Sequence, residues 1–138
     1  ANFQRIFARL TDGSGRLVLD NEEDPFAGGM TFAVQPRDKK VHLLSALSGG
    51  EKSLTTLAFI FSIQQYMPAP FYALDEVDMF LDGNNVGKIA AMISDLTGNA
   101  QSIIVSLRKP MIERADRIVG VTIRQDKSTY VTGVQNNG

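Results

Sequence analysis

The sequence predicts an α/β fold, a mixed sheet flanked by helices, on three observations. Short strand and helix patterns alternate through the middle of the chain, from Gly50 to Val105. The apolar runs there are continuous, as expected for parallel strands covered on both faces. Toward either end the pattern changes to alternating residues bounded by turns, which marks antiparallel pairs. The 138 residues fit one domain with a real core, and no repeat or linker divides them.

Taken in order, Phe3, Ile6, Phe7 and Leu10 form a helical stripe over Asn2 to Leu10. Asp12-Gly13-Ser14-Gly15 is a turn, and Leu17 and Leu19 alternate in a strand from Arg16 to Asp20. Asn21 to Gly29 reads as a loop. Met30, Phe32 and Val34 share one face of a strand from Met30 to Gln35, which Pro36 ends. Arg37-Asp38-Lys39-Lys40 is the charged tip of a hairpin or loop, and the sole histidine, His42, lies in this charged loop as a surface residue. Gly50 to Gln65 is a strong helix, with Leu54, Leu57, Ala58, Phe61 and Gln65 on one face. Pro68 and Pro70 close it, and Phe71 to Leu74 reads as a strand buried on both sides. Asn84 to Leu96 is a second helix, with Val86, Ile89, Ala90 and Ile93 inward and Gly98 as its stop. Ser102 to Val105 is another buried strand, and Pro110 to Ala115 a short helix. Arg117 to Arg124 and Ser128 to Val134 are strands joined by a polar turn at Gln125-Asp126-Lys127, before a frayed tail from Gln135 to Gly138. Met30, Met67, Met79, Met92 and Met111 are scattered and read as packing.

Composition narrows the function. The net charge of -1 gives no general attraction for nucleic acid, so contact with DNA would need a local patch. Without cysteine there is no disulfide, thiol chemistry or cysteine-based zinc site. The apolar stretch around Leu54 to Ile63 is too short and too polar to span a membrane. The chain opens with Ala1 and no signal peptide, as expected for a piece cut from something longer.

Two constellations carry chemistry. Ser48-Gly49-Gly50 precedes a helix with Glu51 in its first turn. Ser48 suits an N-cap, and two glycines let a ligand approach the backbone closely. Free amides and the positive end of the helix dipole then favour a phosphate there. The same residues equally describe a plain capped helix. Further on, Asp75-Glu76 ends an apolar strand, the place where open α/β sheets bind ligands. An aspartate there can hold Mg²⁺, and the next residue can deprotonate a water. Asp78 and Asp82 extend the acidic cluster, which needs cations, water or separation. No G-x-x-x-x-G-K-[ST] loop occurs: around Gly87-Lys88, Asp82 stands where the first glycine belongs and Ile89 where Ser or Thr belongs. Gly13-Ser14-Gly15 lacks the third glycine of a dinucleotide fingerprint.

In this order and spacing, Leu47-Ser48-Gly49-Gly50-Glu51-Lys52 resembles the ABC signature motif. Phe71 to Glu76 resembles a Walker B strand with its glutamate, and Asp78-Met79-Phe80-Leu81-Asp82 the D-loop. Asn2 to Phe7, Pro68 to Tyr72 and Ala115 to Val121 add a resemblance, over nearly the whole chain, to the C-terminal head lobe of SMC proteins of the prokaryotic type.

The resemblance implies the C-terminal half of an ABC-type (P-loop NTPase) head. Its N-terminal Walker A lobe, coiled coil and hinge would lie elsewhere, and its function would be ATP-dependent head engagement in chromosome condensation and segregation. It further implies that Asp75 helps hold Mg²⁺ and that Glu76 activates the attacking water. Ser48, Gly49 and Gly50 would contact the γ-phosphate of ATP on an opposite head, and Asp78, Leu81 and Asp82 would line the head–head interface. Leu107 falls at the switch position, where many members carry histidine, and leucine cannot hydrogen-bond a phosphate. Implied partners are the N-terminal lobe of the same head, a second head in a homodimer, a kleisin subunit and DNA, in the cytoplasm at the nucleoid. Arg5, Arg9, Arg16 and the Arg37–Lys40 loop are candidate DNA contacts. The alternatives are a head lobe of another coiled-coil ABC ATPase, acting in double-strand-break repair or recombination, and a kleisin-binding module. The fragment alone is expected to be inactive.

Overall fold

A computed structural model describes residues 2–36, 42–98 and 100–135. The predicted stripe Phe3, Ile6, Phe7 and Leu10 is the buried face of α1 (Asn2–Thr11). That face lies against α2 (Gly49–Tyr66), and the pair is fastened at its rim, where Arg5 donates to Gln65 Oε1. Arg9 bonds Asp95 of α3 (Gly83–Leu96) at 2.7 Å. Next come three antiparallel strands in the order β1 (Ser14–Leu19), β2 (Met30–Gln35), β3 (His42–Leu43). They bring Phe32 edge-on to Phe3 at 5.6 Å and to Phe59 of α2 at 5.3 Å, arrangements favoured by the ring quadrupoles. Gly15 is required by this packing: a Cβ there would stand 2.9 Å from the Phe7 ring.

Helix α2 buries Leu54, Leu57, Ala58 and Phe61 as predicted, together with Thr55 and Ser62. These two hydroxyls donate to the carbonyls of Glu51 and Phe59, each at 2.7 Å, so their burial leaves no orphan donor. After Pro68 and Pro70 the chain forms β4 (Phe71–Asp75), crosses through α3, and returns as β5 (Gln101–Val105), parallel to β4 from Phe71↔Gln101 to Asp75↔Val105. The short α4 (Lys109–Ile112) leads to the hairpin β6 (Arg117–Ile123) and β7 (Thr129–Gln135), whose turn places Lys127 at φ 65.

Several expectations need correction. One mixed sheet was expected, but the described residues form three separate sheets, β1-β2-β3, β4-β5 and β6-β7. Strands β4 and β5 are not buried on both faces: Phe71 is 58% and Ile103 52% exposed. Only the alternate residues, such as Leu74 and Ile104, pack against the core, because no described element of this chain covers the opposite face. His42 is half-buried in β3, opposite Val34, and not in a charged loop. Met30, Met67 and Met79 are exposed, so only Met92 and Met111 pack as expected. The short helix ends at Ile112, earlier than Ala115. Arg37–Lys40 and the tail beyond Gln135 lie outside the described residues. Among the described residues no helix is long and apolar enough to cross a membrane.

Candidate functional site

Ser48 adopts extended backbone and caps α2 in a full capping box. Its amide donates to Glu51 Oε2 at 3.0 Å, its hydroxyl donates to the same oxygen at 2.8 Å, and the Glu51 amide returns a bond to Ser48 Oγ at 3.4 Å. Leu47 is buried and anchors the turn from behind, while Ser48, Gly49 and Lys52 are exposed. The amides of Gly49 and Gly50, first in the helix, have no acceptor within it, as for any helix start. Space around Gly49 is open, since a Cβ there would meet nothing within 4 Å. A Cβ on Gly50 would come to 3.3 Å from the carbonyl oxygen of Phe80. The capped-helix and phosphate-cradle readings are therefore compatible: the box uses Ser48 and Glu51 and does not engage the glycine amides.

At the carboxyl end of β4, Asp75 and Glu76 are both exposed. The Glu76 amide continues the ladder to Val105 O at 3.0 Å, but its φ of 47° is left-handed. A glutamate gains nothing from that conformation, so the backbone there is strained. The chain then coils tightly, with Met79 N donating to Glu76 O at 3.1 Å and Leu81 N to Asp78 O at 3.2 Å. Asp82 ends the loop as the N-cap of α3, accepting the Asn85 amide at 3.0 Å. Asp78 is not part of an exposed acidic cluster. It is only 2% exposed and accepts the Ser106 hydroxyl at 2.5 Å. Leu81 is also buried, so Met79, Phe80 and Asp82 are what the loop shows outward. Leu107 is 93% exposed.

No group of three or more His, Asp or Glu able to hold a metal ion occurs among the described residues. Mg²⁺ does not need one, because it commonly takes one or two carboxylates together with phosphate oxygens and water. The exposed Asp75 carboxylate fits an ion that would arrive with a nucleotide. Of the candidate DNA contacts, Arg5 and Arg9 are engaged with Gln65 and Asp95, and Arg16 is exposed on β1. Ser106 and Arg108 were missed by sequence reading. The one available signal was a hydroxyl placed directly after an apolar strand.

This arrangement belongs to the ABC-type ATPase heads, the fold of its structural neighbours. Residues 22–130 match the family described as RecF/RecN/SMC N terminal domain, and the chain belongs to that family. It is 54% identical over 134 residues to the chromosome partition protein Smc of Gloeobacter violaceus, covering 97% of this chain and 12% of that protein. The chain thus spans about an eighth of the length of such relatives. Among solved structures it is similar to the Smc head domain of Pyrococcus furiosus, with an extended coiled coil, bound to the C-terminal domain of ScpA. That match has a TM-score of 0.92 at 46% identity and covers 97% of this chain and 34% of that one. A structure from work on ATP-driven dimerization and DNA-stimulated activation of SMC ATPases gives 0.88 at 44%, covering 97% of this chain and 81% of that one.

Proposed function

We propose that this chain is the C-terminal lobe of an SMC ATPase head and contributes residues to two composite ATP sites. One observation carries the reading: an outward serine-glycine helix start and an exposed Asp75-Glu76 strand end stand on one small lobe that has no phosphate-wrapping loop of its own. Asp75 helps hold Mg²⁺ in its own head, where the ion supplies charge neutralisation for the phosphates. Glu76 orients and deprotonates the attacking water. Ser48, Gly49 and Gly50, within the signature Leu47–Lys52, serve the ATP of the opposite head. To donate to a phosphate, the Ser48 hydroxyl exchanges its bond to Glu51 for one to the ligand. The loop from Asp78 to Asp82 lines the head–head interface, with Asp78 and Leu81 shaping it from beneath. Leu107 offers that site a side chain but no hydrogen bond.

The N-terminal lobe of the same head is the natural cover for the open face. Strands β5 and β6 each pair on one side only among the described residues. A cavity of about 590 Å³ lies between them, lined by Ser102, Ile104, Ile118 and Val119 among others. The buried Ser102 hydroxyl there has no partner. Such a slot suits an added strand, whose backbone would satisfy both edges. A kleisin subunit, a second head and DNA are the further partners, at the nucleoid in the cytoplasm, in chromosome partition. The structure with bound ScpA and the one concerned with dimerization and DNA support this assignment. The family also spans RecF and RecN, but the identity to Smc favours the SMC branch.

In a head reconstituted with its N-terminal lobe, Glu76→Gln should abolish turnover and trap ATP-bound dimers, while Ser48→Arg should prevent dimerization. Steady-state ATP hydrolysis and sedimentation measure both. Normal turnover by Glu76→Gln would remove the base assignment, and robust turnover by the 138 residues alone would overturn the lobe assignment.

A further inference from the structure

The segment after β4 and the end of β5 are laced together at three successive points. Glu76 N donates to Val105 O at 3.0 Å. The Ser106 hydroxyl donates to the buried Asp78 carboxylate, and the same oxygen accepts the Arg108 amide at 3.0 Å. The half-buried Arg108 guanidinium donates to Leu81 O at 3.2 Å. Residues 105, 106 and 108 therefore hold residues 76, 78 and 81 in order, and the side chain of Leu107 between them is turned outward. From the other side, Phe80 O lies against Gly50 at the start of α2. A displacement of the loop that follows β5 cannot leave Glu76 or the Asp78–Asp82 loop where they stand without breaking charge-assisted or buried bonds.

We propose that Arg108, acting with Ser106, is a positioning residue that locks the Asp78–Asp82 loop and Glu76 to the end of β5, so that head engagement and water activation are set together. This rests on the head function proposed above. Arg108 touches neither nucleotide nor water in this scheme. It fixes a backbone carbonyl, and through it the outward face formed by Met79 and Phe80.

The test uses the complete head, this chain together with its N-terminal lobe. Arg108→Ala should leave the KM for ATP within about twofold and lower kcat about tenfold, the loss expected for one hydrogen bond from a charged donor. In the Glu76→Gln background it should weaken ATP-dependent dimerization by a similar factor. Arg108→Lys keeps one donor for Leu81 O and should recover most of the loss, which a general packing defect would not. Ser106→Ala, a smaller change, carries the same expectation if Arg108→Ala does not fold. Turnover and dimerization at parental levels in Arg108→Ala, with Glu76→Gln inactive, would overturn the positioning role and leave the head function standing. A raised KM with unchanged kcat would overturn it too, by making Arg108 a nucleotide contact. Parental turnover in Glu76→Gln would overturn the head function itself.

Discussion

The two ends of this chain's hydrophobic surface behave differently. Around α1, β2 and α2 the apolar residues close on one another: Phe7 and Leu10 have no exposed surface, and Phe3, Phe32 and Phe59 meet ring to ring. Along β4–β5 and β6–β7, apolar residues equal in size stand open, with Val121 67% and Ile123 75% exposed. Composition does not separate the regions; the presence of a covering element does. Among the described residues the packing is therefore closed where the chain carries its own helices and open along its sheet edges.

The sharpest way to break that contrast is to cut into each region. Phe7→Ala should destabilise the isolated chain by about 3–5 kcal/mol, since it removes a fully enclosed ring, and urea unfolding would read the change. Ile103→Thr, on the open face of β5, should stay within about 0.5 kcal/mol in the same measurement. Its effect should appear instead as weaker binding of the proposed N-terminal lobe, measured by calorimetry. An equal loss at both positions would show that the open face is already a core. The smallest effect lies at the hairpin tip, where the Ser128 hydroxyl and amide donate to Asp126 and hold its carboxyl below the ordinary carboxylate range. A depressed folded value means that this bond's contribution is present above the unfolded carboxyl's titration and lost as pH falls through the lowered one. Ser128→Ala should raise the Asp126 titration midpoint, followed by NMR, and leave the unfolding transition unmoved because the group is fully exposed.

Much of this was legible in the sequence. The stripe of α1 and the inward face of α2 follow from periodicity, each a local pattern answered by the core. The parallel strand pair follows from two apolar runs separated by a helix. The two-residue β3 was not legible, since His42-Leu43 is too short to show a period and owes its strand character to β2. The continuous apolar runs of β4 and β5 point to burial on both faces, but Phe71 and Ile103 stand open. Such a run does not say which face a covering element will reach. At the site, Ser48 as a cap and Asp82 after the acidic pair could be read from neighbours in sequence. Asp78 could not: its partner Ser106 is 28 positions away, and an acid surrounded by acids reads as solvated until that hydroxyl is found.

The left-handed backbone at Glu76 has a consequence for anyone seeking a hardier version of this chain. Asparagine and glycine accept that conformation far more readily than glutamate does. A screen that rewards heat resistance alone should drift toward either residue at position 76, and Glu76→Asn should melt a few degrees higher than the parent. The winners of such a screen would be sturdier proteins that lack the carboxylate proposed to activate the attacking water. Endurance and chemistry pull this one position in opposite directions.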